Sequence, residues 1–237
     1  MNFNKDLFLE NLSELNIPVT EGQISLLDSF AEMVIEKNKV MNLTAITDPD
    51  GFAIKHFADS ISITALPEYK EAKKIMDVGT GAGFPGVPLL IMNPDIELTM
   101  LDSTAKRLTF VKESIESLGL DAEIKHARAE ESGKDKNYRE TYDAVVSRAV
   151  ASLNVLTEYC LPFVKVGGYF FAMKSSKADE EISLAENAIS ILGGKIEQIK
   201  TFRLSDNAER NIVVIKKIKP TPPKYPRVSA QIAKKSL

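Results

Sequence analysis

The sequence has one cysteine, Cys160, no tryptophan and only two histidines, His56 and His126. A lone cysteine has no partner for an internal disulfide, and no group of thiols is present to hold zinc. Cys160 lies in an apolar stretch, Asn154 to Val164, which suits a small buried hydrophobe better than a reactive thiolate. Neither histidine belongs to an HExxH or comparable pattern, so no metal is expected. Long apolar runs are missing too. The longest, Val87 to Met92, is broken by Pro88 and falls far short of the roughly 20 residues a membrane-spanning helix takes. The opening MNFNKDLFLENL has no unbroken apolar core and no signal-peptide layout. Together these absences point to a soluble protein of a reducing cytoplasm.

What is present describes an ordinary globular chain. Its 237 residues suffice for one sizeable α/β domain with an appendage, and hydrophobic (44%) and charged (27%) residues are in normal balance. The net charge of -3 suggests no polyanionic partner, but its distribution is uneven. From Asn211 to the end there are seven basic residues (Lys216, Lys217, Lys219, Lys224, Arg227, Lys234, Lys235) and no acid. A basic end on an acidic body is a candidate footprint for a polyanion; a solvated tail is the plainer reading of the same charges.

The first 72 residues read as helical. Thr20-Glu-Gly-Gln23 is a capping-box pattern, followed by Ile24, Leu27, Phe30, Ala31 and Val34 at helical spacing. Asp48-Pro49 marks another helix start. From Lys73 the rhythm changes to short strands alternating with helices. Strands are expected at 74–78, 97–102, 122–127, 142–147 and 169–174, with helices at 86–92, 104–118, 152–164 and 179–192. Two last strands, 195–202 and 211–217, have no helix between them and should pair antiparallel. The expectation is an α/β fold with a seven-stranded, mainly parallel sheet, an antiparallel edge hairpin and N-terminal helices. It divides into a helical extension (1–72), the sheet domain (73–218) and a basic, Pro-containing tail (219–237). PTPPKYPR (220–227) should be extended and outside the core.

The strongest signal is Asp77-Val-Gly-Thr-Gly-Ala-Gly-Phe-Pro-Gly86, between a strand and a helix. Gly79, Gly81 and Gly83 permit positive φ and let a ligand approach the backbone closely. A GxGxxG can be read from Gly81 to Gly86, but its first glycine comes too late after the strand for a dinucleotide. Asp77 ends the strand, so its carboxylate should point toward the pocket mouth. An acid there suits a ligand bearing an ammonium group and repels phosphate. Asp102 ends the second strand and can accept both hydroxyls of a ribose. Ala129-Glu130 follows the third strand, where an adenine could stack. Asp77, Asp102 and Glu130 thus come from three successive strand ends, an agreement that ordinary loop acids do not produce.

With these residues in view, the loop resembles motif I of class I S-adenosylmethionine-dependent methyltransferases, a Rossmann-like fold. The closing Phe-Pro-Gly narrows the resemblance to the RsmG family, 16S rRNA guanine-N7 methyltransferases also called glucose-inhibited division protein B. NKVMNLTAI (38–46), KHFADS (55–60), LDSTAKRLTFV (101–111), ARAEE (127–131), SRAVASL (147–153) and ERNIVVIKK (209–217) are similar to that family as well. The sequence departs from the family pattern at Lys37, at Lys55 and after KYPR (224–227). The resemblance implies S-adenosyl-L-methionine as cofactor, with Gly79, Phe84, Ala129, Glu130 and Arg148 at its site, beside Asp77, Gly81, Gly83 and Asp102 from the reading of the loop and strand ends. It implies RNA or active-site contact for Arg210, small-subunit ribosomal RNA or the ribosomal particle as partner, and a monomer; His56, for which a structural hydrogen bond is the other reading, and Lys224 and Arg227 of the basic tail are the further candidates to meet RNA.

Guanine N7 carries a lone pair and no proton, so the reaction needs alignment and no general base. Three other readings stay open on residues alone. They are a methyltransferase of the same class acting on a protein or small molecule, a nicotinamide-dependent oxidoreductase, and a non-catalytic ribosome- or RNA-binding protein.

Overall fold

Alternation of buried side chains along the strands sets the architecture. In β1 (Lys74–Val78), Ile75 belongs to one apolar cluster, while Met76 and Val78 belong to another. A period of two puts these on opposite faces, so the sheet must be covered on both sides. The computed structural model describes residues 2–176 and 178–237. Its sheet runs in the order β3 (Glu123–His126), β2 (Glu97–Asp102), β1, β4 (Tyr142–Arg148), β5 (Val164–Ser175), β7 (Glu209–Lys217), β6 (Gly194–Arg203). β1 to β5 are parallel, and β7 runs antiparallel to both β5 and β6. The order reverses between β1 and β4. That is the switch point, where a crevice opens beyond the carboxyl ends of the strands.

One face packs against the helices Gly86–Met92 and Ala105–Ser117 and the N-terminal helices; the other packs against Leu153–Cys160 and Ala178–Ile191. The Thr20–Gln23 capping box is formed: Gln23 N–H donates to Thr20 Oγ1 at 3.3 Å and Thr20 N–H to Gln23 Oε1 at 2.8 Å. Gln23 also donates to the carbonyl of Met92, tying the helix Glu21–Asn38 to the sheet's first helix. Phe3, Phe8, Phe52 and Phe57 pack edge to face below this layer. They fix Phe52–Ala58, a single wide π-helical stretch that helical spacing alone does not foretell. No helix among the described residues is long and apolar enough to cross a membrane.

Two segments differ from the sequence reading. The helix expected to reach Val164 stops at Cys160, and β5 starts early, running through Gly167-Gly168 with an irregular register against β4. A Cβ on Gly168 would lie 2.5 Å from the carbonyl oxygen of Asp143, so glycine lets the strand continue where a turn was expected. The segment 219–237 is not a free extension. Thr221, Tyr225 and Ile232 are buried, and Arg139 donates to the carbonyls of Thr221 and Tyr225 at 2.7 and 2.8 Å. Proline removes donors from this stretch, so its carbonyls take theirs from a side chain. Cys160 is fully buried, and burial pushes its thiol well up.

Candidate active site

The glycine loop leaves β1 at the switch point. Gly79, Gly81 and Gly83 have φ of 77°, 58° and 96°, in the left-handed region that side chains avoid. A Cβ on Gly79 would lie 2.4 Å from Val150, whereas one on Gly81 would face nothing closer than 3.9 Å. Val150 thus fills the space beside Gly79, and Gly81 leaves its backbone bare. Asp102, at the end of β2, accepts N–H groups of Gly81 at 3.0 Å and Thr104 at 2.8 Å, so its carboxylate holds the loop in shape.

Asp77 is not at the pocket mouth. Strand alternation turns it with Ile75 toward the helix Gly86–Met92, where its Oδ2 accepts the Gly86 N–H at 3.0 Å. A Cβ on Gly86 would come within 2.8 Å of that oxygen, so glycine admits the carboxylate. Oδ1 and the Thr80 hydroxyl are buried without a well-formed hydrogen bond. Burial pushes the Asp77 carboxyl up to about 6, against the opposing pull of the Thr80 hydroxyl, the Gly86 N–H and the Arg148 charge.

Two cavities open on either side of the segment after β4. The smaller, about 310 Å³, is walled by Gly79, Asp102, Ala129 and Glu130, with Arg107 and Arg128 at its edge. Of the three strand-end acids singled out in the sequence, Asp102 and Glu130 line it and Asp77 does not. The larger, about 770 Å³, is lined by Lys55, His56, Asp59, Arg148, Lys174 and Arg210. Ala149 and Val150 border both. Ala149 has a φ of 55° and is bracketed by anchors. Ser147 Oγ donates to the carbonyl of Val78 at 2.7 Å, and Lys174 Nζ donates to that of Ala151 at 2.6 Å.

Arg148 faces the larger cavity and not the smaller one. Its guanidinium donates to the Lys55 carbonyl at 2.8 Å and to Asp59 Oδ2 at 2.7 Å. Arg210 is held by Asp206 at 2.5 and 2.8 Å, and its Nε lies 3.5 Å from Asp59 Oδ1. Asp59 thus joins two arginines from β4 and β7, the strands that flank β5. The residues missed by sequence reasoning are Asp59 as this junction and Asp206 as the partner of Arg210. Asp206 and Arg210 meet across the turn that leads into β7, and helical spacing gives no signal for that pair.

Phe84 lies beneath the loop, outside both cavity walls. It stacks on His56 at 4.4 Å between ring centroids and packs on Phe30, with the Arg148 guanidinium 5.5 Å from its ring. His56 pairs with Thr44 Oγ1 at 2.9 Å through Nε2. Burial and the Arg148 charge lower its pKa to about 3, so the ring is neutral at physiological pH. Lys224 is exposed, its ammonium 5.1 Å from the Tyr225 ring. Arg227 is committed inward to Glu158, at 2.9 Å through Nε and 2.6 Å through Nη2. Lys217, also counted in the basic end, is fully buried and donates to Leu161 O, Thr221 Oγ1 and Glu140. Charge counting cannot separate such spent cations from free ones.

A family model described as GidB, rRNA small subunit methyltransferase G, matches residues 23–213. The protein named ribosomal RNA small subunit methyltransferase G of Alkaliphilus oremlandii is 49% identical over 235 residues, covering 98% of each chain. The protein of the same name from Acetivibrio thermocellus is 48% identical, covering 98% of this chain and 96% of its own. Among solved structures, an O-methyltransferase from Bacillus cereus in complex with SAH superposes with a TM-score of 0.59. It is 16% identical, and the match covers 88% of this chain and 96% of that one, a likeness of fold.

Proposed function

The chain belongs to the rRNA small subunit methyltransferase G family, and from that premise we propose that it moves the methyl group of S-adenosyl-L-methionine to N7 of a guanine in small-subunit (16S) ribosomal RNA. It does so in the bacterial cytoplasm, as a monomer. The observation that carries this reading is the pair of cavities meeting at Ala149 and Val150, one walled by the glycine loop and strand-end acids, the other ringed by cations.

The smaller cavity fits the cofactor. Gly79 contributes backbone to its wall, Asp102 keeps lone pairs for ribose hydroxyls, and Ala129 and Glu130 border the adenine end. The orphaned Oδ1 of Asp77 leaves an anionic charge under the loop that favours an ammonium above it. When bound, S-adenosylmethionine supplies an electrophilic methyl on a sulfonium.

The larger cavity takes the acceptor base. Its walls need hold no base, because N7 attacks with its own lone pair; their work is to bring that atom in line and exclude water. His56 is neutral and packed on Phe84, so it adds no positive charge next to a ring that becomes cationic on methylation. Asp59 offsets Arg148 and Arg210 for the same end. Lys224, on the surface, and Arg210, which lines the cavity with Asp206 and Asp59 as its partners, are the cations set to meet RNA phosphate. Arg227 serves the fold, and Phe84 and Arg148 act on the cofactor only through the loop and the segment after β4.

The test is transfer of labelled methyl from S-adenosylmethionine to small-subunit particles lacking the modification. Label in the RNA is the expected result. Label in ribosomal protein, or none, would move the search to another acceptor.

A further inference from the structure

The family match ends at residue 213, yet the chain beyond it does not drift away from the smaller cavity. Arg227 reaches Glu158, a fully buried carboxylate on the helix Leu153–Cys160, with its backbone N–H at 2.7 Å as well as its guanidinium. Its Nη1 donates to the carbonyl of Lys235 at 3.0 Å, clasping the short helix Ser229–Lys234 that follows. Ile232 buries its side chain against the body, and Asn154 donates to Ser236 at 2.8 Å. The consequence is local. Ser229 lines the smaller cavity, next to Tyr159, the neighbour of Glu158 on the same helix.

We infer that the C-terminal segment is a lip of the cofactor pocket, with Ser229 part of the pocket wall and Arg227 the positioning residue that fixes it there. The inference rests on the reading of the smaller cavity as the cofactor site. A paired, buried carboxylate makes a firm anchor, because releasing Arg227 leaves Glu158 buried without its partner. The exposed cations of this segment, Lys224, Lys234 and Lys235, lie outside that anchor.

The test uses full-length protein and calorimetric titration with S-adenosylhomocysteine, beside particle binding and thermal melting. Ser229→Trp crowds the wall from a half-exposed position without touching the core. Ile232→Asp undocks the short helix. Each is expected to weaken S-adenosylhomocysteine about tenfold, the effect of losing one good contact, and to raise KM for S-adenosylmethionine with kcat and particle affinity unchanged. Arg227→Gln should do the same, with partial rescue by Arg227→Lys, a split that a merely structural role would not produce. Normal S-adenosylhomocysteine affinity in Ser229→Trp and Ile232→Asp overturns the inference. So does a loss confined to particle binding, which would make the segment an RNA arm. If the unaltered protein bound no S-adenosylhomocysteine, the functional reading itself would fall, and the inference with it.

Discussion

Replacing Asp77 with asparagine should make the protein more stable and a poorer binder of its cofactor. The carboxyl is fully buried, and burial is the main cause of its rise from 3.8 to about 6. A folded-state pKa above the unfolded value means that protonation stabilises the native protein below about pH 4, a contribution lost as pH climbs through 6. At about 1.4 kcal/mol per pH unit, this rise corresponds to roughly 3 kcal/mol carried against folding at neutral pH. Asparagine removes that charge, its carbonyl can still accept the Gly86 N–H, and its amide can donate to the unsatisfied Thr80 hydroxyl. His56 works in the opposite sense over an overlapping range, so only the difference between variant and wild-type curves isolates the carboxyl. The assay is urea unfolding across pH 4 to 8, with S-adenosylhomocysteine titration alongside. The variant should gain about 1–3 kcal/mol near neutral pH, with the gain vanishing toward pH 4, and lose about tenfold in affinity. A gain independent of pH, or no gain at all, would refute the burial argument; unchanged affinity would refute the role given to the charge.

Other expectations follow from the same geometry. His56, lowered from 6.5 to about 3, lends stability present above pH 6.5 and lost as pH falls toward 3. A His56→Phe variant, which keeps the packing on Phe84, should lack a decline of roughly 3–5 kcal/mol over that range in acid unfolding curves. Arg210→Gln should weaken particle binding and reduce the slope of log affinity against log salt by about one, leaving S-adenosylhomocysteine binding intact; an unchanged slope would remove Arg210 from the phosphate contacts. Gly79→Ala forces a Cβ into a φ of 77° and onto Val150. It should cost about 1–2 kcal/mol in denaturant unfolding and sharply weaken S-adenosylhomocysteine binding.

Much of the fold was legible in the sequence because its signals were local. KIMDV and ELTMLD bound their strands at the observed residues, since each apolar run meets an acid and a turn residue at its end. The helix-free interval before NIVVIKK announced the antiparallel hairpin. Alternation also held the answer for Asp77: a residue two after Ile75 shares its face, which outweighs its position at the strand end. What stayed hidden depends on partners far along the chain. Glu158 and Arg227 are separated by 69 residues, and nothing near Arg227 distinguishes it from the exposed Lys224. Arg148 sits where β4 ends, between two cavities, and only the placement of Asp59 on the N-terminal helices decides which one it faces. The π-helical turn at 52–58 answers to the phenylalanines packed around it and not to its own spacing.

The central claim is that two adjoining cavities align a sulfonium methyl with N7 of one guanine. Its most direct test is to label undermethylated small-subunit particles with methyl-labelled S-adenosylmethionine, extract the RNA, and apply the reduction and aniline treatment that cleaves chains at 7-methylguanine. The account expects the label in small-subunit RNA and a single new cleavage at the labelled guanine. Label in that RNA without cleavage would place the methyl on another atom and contradict the mechanism, and cleavage without a functioning smaller cavity, as in the Gly79→Ala variant, would contradict the site.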